Sequence, residues 1–219
     1  MSPAPLSQTA EDYLKEIYKL QSEEGRATTS ALAERVGVAP PSATAMLKKL
    51  AELGLVEHER YRGVRLTTAG EKAAIEIIRH HRLLEQYLAE TLGLRIDQVH
   101  AEADRLEHAL SEELEARIDA SLGYPTHDPH GDPIPDANLE LPSAQRRVLA
   151  DLGEGERATV SRVPDEDTEL LRYLADLALV PGESVELVRR GPFGGPLTVL
   201  TRGSQHAIAR ELAEQIGVA

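Results

Sequence analysis

The first seventy residues are cut by glycines into pieces of distinct type, and this punctuation constrains the fold more than any other feature. Tyr13, Leu14, Ile17 and Tyr18 form an i, i+1, i+4, i+5 stripe, which predicts a helix over 9–22 ended by Gly25. Thr28-Thr29-Ser30 offers N-cap candidates for a short helix over 31–36, broken by Gly37. A third helix begins at Pro40-Pro41, where proline is tolerated in a first turn, and stops near Gly54. Residues 55–59, a tight Arg62-Gly63 and residues 64–67 then read as a β-hairpin. Helix, glycine turn, helix, hairpin is the grammar of a winged helix-turn-helix.

Beyond it, a long helix is expected over 69–92, ending at Gly93. Another is expected over 96–122, where Val99, Ala103, Leu106, Leu110, Leu114 and Ile118 recur at three- and four-residue spacing. Residues 123–142 hold five prolines and two glycines without periodicity and read as a linker. Its His127 and His130 could bind metal, but linker histidines are usually solvent-exposed, and that is the expectation here. After it come a strand over 158–163, a helix over 167–177, strands over 185–189 and 197–201 joined by a glycine-rich hairpin, and a final helix over 205–216. The expectation is a mainly α chain with a small β part in three domains: 1–70, 71–142 and 143–219.

The chain has no cysteine, which excludes disulfides, zinc–thiolate sites and thiol catalysis and leaves His and carboxylate as the strong metal ligands. No signal pattern or long apolar run is present, so a soluble, cytoplasmic protein is expected, with no membrane partner. The net charge of −13 has the wrong sign for DNA binding, but it is unevenly distributed. Residues 26–65 carry seven Lys/Arg against four Asp/Glu, whereas 97–121 carry eight Asp/Glu against two Arg.

In the basic segment the second helix of the helix-turn-helix would read DNA. Pro41, Ser42 and Thr44 stand at its start, Lys48 and Lys49 lie further along, and Arg60, Arg62 and Arg65 decorate the hairpin, where each can neutralise a phosphate. A winged helix also serves as a dimerisation or docking module, and surface Lys/Arg are often only solvated. The helix start has no Arg, Asn or Gln for bidentate base contacts, so thymine methyls and DNA shape would carry specificity.

In the acidic segment His100, Asp104, Glu107 and His108 would fall within an arc of about 100° on one helix. His81 and Glu85 form an i, i+4 pair on the preceding helix, and Asp12 and Glu16 another on the first. Each pair alone is commonplace, but three helices each presenting ligand-type residues suggest metal binding. A metallohydrolase would use the same groups, but His-Glu-x-x-His and a glycine-rich phosphate loop are both absent. A regulator sensing a non-metal ligand and a protein-interaction adaptor are the other readings; no small organic substrate is expected.

The segments Ala10-Glu11-Asp12-Tyr13-Leu14-Lys15-Glu16-Ile17-Tyr18, His81-Arg82-Leu83-Leu84-Glu85 and Val99-His100 through Glu107-His108 resemble the diphtheria toxin repressor family, which includes iron-dependent and manganese-dependent regulators. Leu170-Leu171, Tyr173-Leu174 and Pro181-Gly182 look like that family's SH3-like, FeoA-like third domain. The resemblance implies a homodimeric repressor of metal homeostasis that binds a palindromic double-stranded operator when metal is present, its middle domain serving dimerisation and metal binding. It implies two metal sites per subunit: Asp12, Asp104, Glu107 and His108 in one; His81, Glu85 and His100 in the other, completed from the third domain by Asp167, with Glu166 and Glu169 close by. Manganese-type members place a glutamate where Lys15 stands here, with Glu16 offset by one. Iron-type members carry Met at the Asp12 position and Cys at the Asp104 position. Carboxylates at both positions favour Mn(II), with Fe(II) the rival.

Overall fold

The computed structural model describes residues 6–59, 63–142 and 147–219. Helices α1 (Gln8–Glu24), α2 (Thr29–Val36) and α3 (Pro40–Glu52) are followed by strands β1 (Val56–Glu59) and β2 (Gly63–Leu66). Then come α4 (Thr68–Leu92), α5 (Ile96–Leu106), a 3-10 turn at Glu107–Ala109 and α6 (Glu112–Ser121). The C-terminal part holds β3 (Arg147–Val148), β4 (Arg157–Arg162), α7 (Thr168–Asp176), β5 (Ser184–Arg190), β6 (Leu197–Thr201), β7 (Ser204–Ile208), α8 (Arg210–Ala213) and β8 (Gly217–Val218). These elements form two compact units. One contains residues up to 81 with 107–110 and 135–140; the other contains 82–106, 111–134 and 141–219.

In the first unit Leu14 and Ile17 of α1, Leu32 of α2 and Leu47 and Leu50 of α3 are fully buried in one core. The Thr28 side chain accepts from Ala31 N and starts α2. Gly25 and Gly37, at φ 72° and 71°, end α1 and α2 in the left-handed region, which glycine enters without steric cost. The hairpin pairs Val56 with Leu66 and Glu59 with Gly63, and Ala27 bridges Val64. Gly63 is required there: a Cβ would lie 2.2 Å from the Ala27 carbonyl oxygen. Helix, helix, helix and two-stranded wing are in place as expected.

In the second unit six antiparallel strands run in the order β3-β8-β4-β5-β6-β7. They close over Leu149, Leu152, Leu171, Leu174, Leu179 and Leu187, among other buried residues, and Ile96 of α5 packs against the same core.

Two sequence expectations fail. The helix expected over 96–122 is broken: α5 stops at Leu106, a 3-10 turn follows, and Ser111 caps α6 by accepting from Leu114 N. The apolar period continues across the break, but Leu106 and Leu114 are 44 % and 49 % exposed, so the pattern did not mark a single buried stripe. The helix expected over 205–216 is instead β7 followed by the short α8, with β8 coming after it. Arg202-Gly203, both at positive φ, form a two-residue hairpin turn that returns β7 along β6 in full register.

Candidate metal centres and nucleic-acid interface

In the first unit Asp12, Glu107 and His108 each offer a ligand atom within 4.8 Å of the others. Asp12 comes from α1; Glu107 and His108 come from the 3-10 turn. The break after α5 aims the Glu107 carboxylate inward, leaving it 1 % exposed. His108 Nε2 lies 2.9 Å from Asp12 Oδ1 and 3.5 Å from Glu107 Oε1. Its other nitrogen, Nδ1, is 2.7 Å from Glu11 Oε2. A carboxylate that accepts from one imidazole nitrogen fixes the tautomer and leaves the other nitrogen as a lone-pair donor, the arrangement of metal-ligating histidines. Only its adjacency to Asp12 marks Glu11 in the sequence.

Both Glu107 oxygens are engaged within this unit. Lys15 Nζ lies 2.6 Å from Oε1, and His81 Nδ1 lies 2.6 Å from Oε2. His81 thus turns its Nδ1 to Glu107. Burial acts to raise Glu107, but His81 and Lys15 outweigh it and hold the carboxyl below its ordinary value. Burial raises Asp12; His108 and Lys15 oppose that rise and Glu107 adds to it. Glu16 pairs with Arg35 Nε at 2.7 Å and with Lys19 Nζ at 3.8 Å.

In the second unit a cluster forms around Glu85, which is completely buried. His100 Nδ1 is 3.1 Å from Glu85 Oε1, and Asp165 joins these two as a third donor within 4.8 Å. Asp104, exposed on α5, lies 3.6 Å from His100 Nε2. Asp128 and His130, from the proline-rich segment, complete a second triad with Glu85. His130 is 0 % exposed, which corrects the expectation of a solvated linker histidine; His127 is exposed.

The local chemistry explains this placement. Asp128 Oδ1 accepts from the backbone N–H of His130 and of Asp132, folding the segment into a tight loop. His130 O accepts from Val163 N, and His130 Nε2 donates to Ile96 O at 3.0 Å. A carbonyl can only accept, so a neutral His130 carries its lone pair on Nδ1, which lies 3.7 Å from Glu85 Oε2. His130 Nδ1 and Asp128 Oδ2 are buried and make no hydrogen bond. Arg82 Nε lies 3.7 Å from Asp128 Oδ2, beyond hydrogen-bonding distance. Buried imidazole and carboxylate atoms without hydrogen bonds, converging with a buried Glu, fit a divalent cation. Burial works against a charged His130, but Glu85, Asp128 and Asp165 push it up to about 9. Burial, with Glu85 and Asp132, pushes Asp128 up to about 8.

The third-domain carboxylate in this cluster is Asp165. Asp167 instead caps α7, its Oδ1 accepting from Glu169 N and Leu170 N at 2.9 and 3.1 Å. Asp97 anchors α7 to α5 through Arg172 Nε at 2.7 Å.

The α3 surface divides cleanly. Ala43, Leu47 and Leu50 are buried, whereas Pro41, Ser42, Thr44, Lys48 and Lys49 are exposed, as is Arg65 on β2. Arg60 and Arg62 lie outside the described residues.

Comparison with known proteins agrees with this organisation. Residues 5–64 match the iron-dependent repressor N-terminal DNA-binding domain, 67–136 its metal-binding and dimerisation domain, and 147–219 the FeoA domain. The iron-dependent repressor IdeR of Mycobacterium leprae is 31 % identical over 97 % of both chains. A solved structure described as a manganese-dependent transcriptional repressor in complex with manganese is 41 % identical, covers 96 % of this chain and 99 % of that one, and superposes with a TM-score of 0.86. The manganese regulator SloR is 31 % identical, with 100 % and 99 % coverage and a TM-score of 0.78. With family models matched over residues 5–64, 67–136 and 147–219 and relatives aligned along almost the whole chain, this protein belongs to the iron-dependent repressor family, whose members include the diphtheria toxin repressor.

Proposed function

We propose that this protein is a metal-dependent transcriptional repressor, activated by Mn(II), that binds a palindromic operator as a homodimer. The observation that carries the reading is the pair of donor sets built only from carboxylate and imidazole, in a chain whose α3 presents an exposed, basic reading face. Hard oxygen donors with imidazole suit Mn(II), and Fe(II) is the competing effector. The 41 % identity to a manganese-dependent repressor supports the same choice.

The bound cation would supply positive charge that draws acidic side chains together. Asp12, Glu107 and His108 would hold one ion. Glu85, Asp128, His130, Asp165 and His100 would supply the second site. Asp12 belongs to α1, which shares a core with α3, so fixing Asp12 against Glu107 and His108 restrains the reading head. In a twofold dimer that restraint sets the spacing of two α3 helices against successive major grooves. Metal and operator then each tighten the other's binding. Leu92, Leu106 and Leu114 are exposed apolar residues that a second copy would cover. His130 must shed its proton before its Nδ1 can act as a donor, so metal uptake releases protons.

The test is a fluorescence-anisotropy titration of chelator-stripped protein against DNA from its own promoter region, with Mn(II), with anaerobic Fe(II) and without metal. Operator binding only with metal is expected, at a lower concentration of Mn(II) than of Fe(II). Equal binding in chelator would sink the reading and favour a regulator that senses something other than metal.

A further inference from the structure

We propose that Lys15 is an internal cation that competes with the divalent metal for Glu107 and thereby sets the concentration at which the Asp12–Glu107–His108 site fills. The inference rests on the reading of that cluster as a metal site.

Lysine is almost never buried unless it is paired. Lys15 is only 7 % exposed, and its ammonium lies 2.6 Å from Oε1 of the completely enclosed Glu107. That oxygen is the one nearest His108 Nε2, at 3.5 Å, and His108 Nε2 is the atom that faces Asp12. The ammonium and an ion held by this donor set therefore claim the same oxygen. The other Glu107 oxygen is held by His81 at 2.6 Å, so Glu107 has no spare donor atom on that side.

Helix geometry fixes the competitor. Asp12 and Lys15 stand at i and i+3 on α1, on one face, so the helix that brings a ligand also brings the opposing charge. A metal–oxygen distance of about 2.2 Å together with the ammonium contact leaves two cations within about 5 Å, where they repel strongly even at the effective dielectric of a protein. Either the lysine swings away on its four-carbon stem or it stays and weakens the site. Both outcomes lower affinity, and both let Glu107 remain charge-balanced when little metal is present. The lysine thus makes position 15 a threshold for metal binding.

The experiment is calorimetric titration of full-length, chelator-stripped protein with Mn(II), comparing wild type with Lys15→Met, Lys15→Gln, Lys15→Arg and Asp12→Ala. Lys15→Met keeps the apolar stem, Lys15→Gln keeps a hydrogen-bond donor, and Lys15→Arg keeps the charge. Both neutral variants should tighten one of the two binding events by tenfold or more and leave the other unchanged, and Lys15→Arg should not tighten it. Should a neutral variant lose stability, Mn(II) should restore its melting temperature at lower concentrations than wild type requires. The proposal is overturned if the neutral variants bind Mn(II) as wild type does or more weakly, or if a destabilised variant is not rescued. Asp12→Ala separates this from the parent reading. If it abolishes one binding event while Lys15→Met leaves that event unmoved, only the lysine's role fails. If it leaves both events intact, the site assignment itself fails.

Discussion

Replacing Gly131 with alanine should disable the buried His130 cluster and spare the one around Asp12. Gly131 has φ 88°, and a Cβ built there would lie 1.8 Å from the Ser161 carbonyl oxygen and 2.8 Å from its carbonyl carbon. Both neighbours are backbone of β4, so the 128–132 loop must lift off the strand by more than an ångström. The left-handed conformation costs a non-glycine residue about 1–2 kcal/mol. Lifting the loop also breaks the Val163 N–His130 O hydrogen bond, worth about 1 kcal/mol. A stability loss of about 2–3 kcal/mol is therefore expected in urea unfolding followed by circular dichroism. The functional effect should be larger, because His130 and Asp128 sit on the displaced loop. Loss of supporting contacts alone costs metal sites about 10–100-fold, so Mn(II) affinity at this site should fall by at least about a hundredfold. Calorimetry should show one binding event fewer than in wild type. Gly153→Ala is the control, since its Cβ would meet only Glu156 Oε2 at an ordinary 3.5 Å. Wild-type stability and two unchanged binding events in Gly131→Ala would refute the reasoning.

Two further outcomes are expected. Lys48→Ala and Lys49→Ala should each weaken operator binding nearly equally across sequences and reduce the slope of log affinity against log salt by about 1, measured by anisotropy; an unchanged slope would remove that lysine from the phosphate contacts. Asp97 is subject to burial that raises its carboxyl, but Arg172 and Arg95 outweigh it and hold the group below its ordinary value. A lowered folded-state value means a contribution that is present above the unfolded value, near 4, and lost as pH falls through the folded value. Asp97→Asn should therefore reduce stability at pH 7 and flatten the acid limb of its pH dependence; parallel limbs for variant and wild type would contradict the pairing.

Much of the fold could be read from local signals. The winged helix-turn-helix was visible because each boundary has a residue with a mechanical reason to be there: Gly25, Thr28, Gly37, Pro40 and Gly54. The break after Leu106 was not visible, because the apolar period runs through it and the break depends on Ser111 capping a new helix. That hidden break undid the single-arc argument for His100, Asp104, Glu107 and His108. The last strands are hard to see in the sequence because residues 204–208 have a weak alternating pattern that runs into the helical residues after them; the Arg202-Gly203 turn is the signal that marks them. Ligand types were legible and several ligand partners were not. The resemblance pointed to Asp167, with Glu166 and Glu169 close by, but Asp167 caps α7 and Asp165 is the residue beside Glu85 and His100. His130 looked solvated because its burial depends on Val163 and Ile96, residues far away in sequence.

The loop at 128–132 also determines where this chain can change length. A proline-rich, aperiodic stretch normally marks the place where insertions and deletions accumulate harmlessly. Here Asp128 and His130 are held at fixed stations, one by backbone N–H groups two and four residues on, the other by Ile96 and Val163. Adding or removing one residue between them would move a donor atom off its station. Length variation in relatives of this protein should accordingly be displaced toward the exposed residues near Asp136–Glu140, and the apparent spacer should hold its residue count as strictly as a helix holds its register.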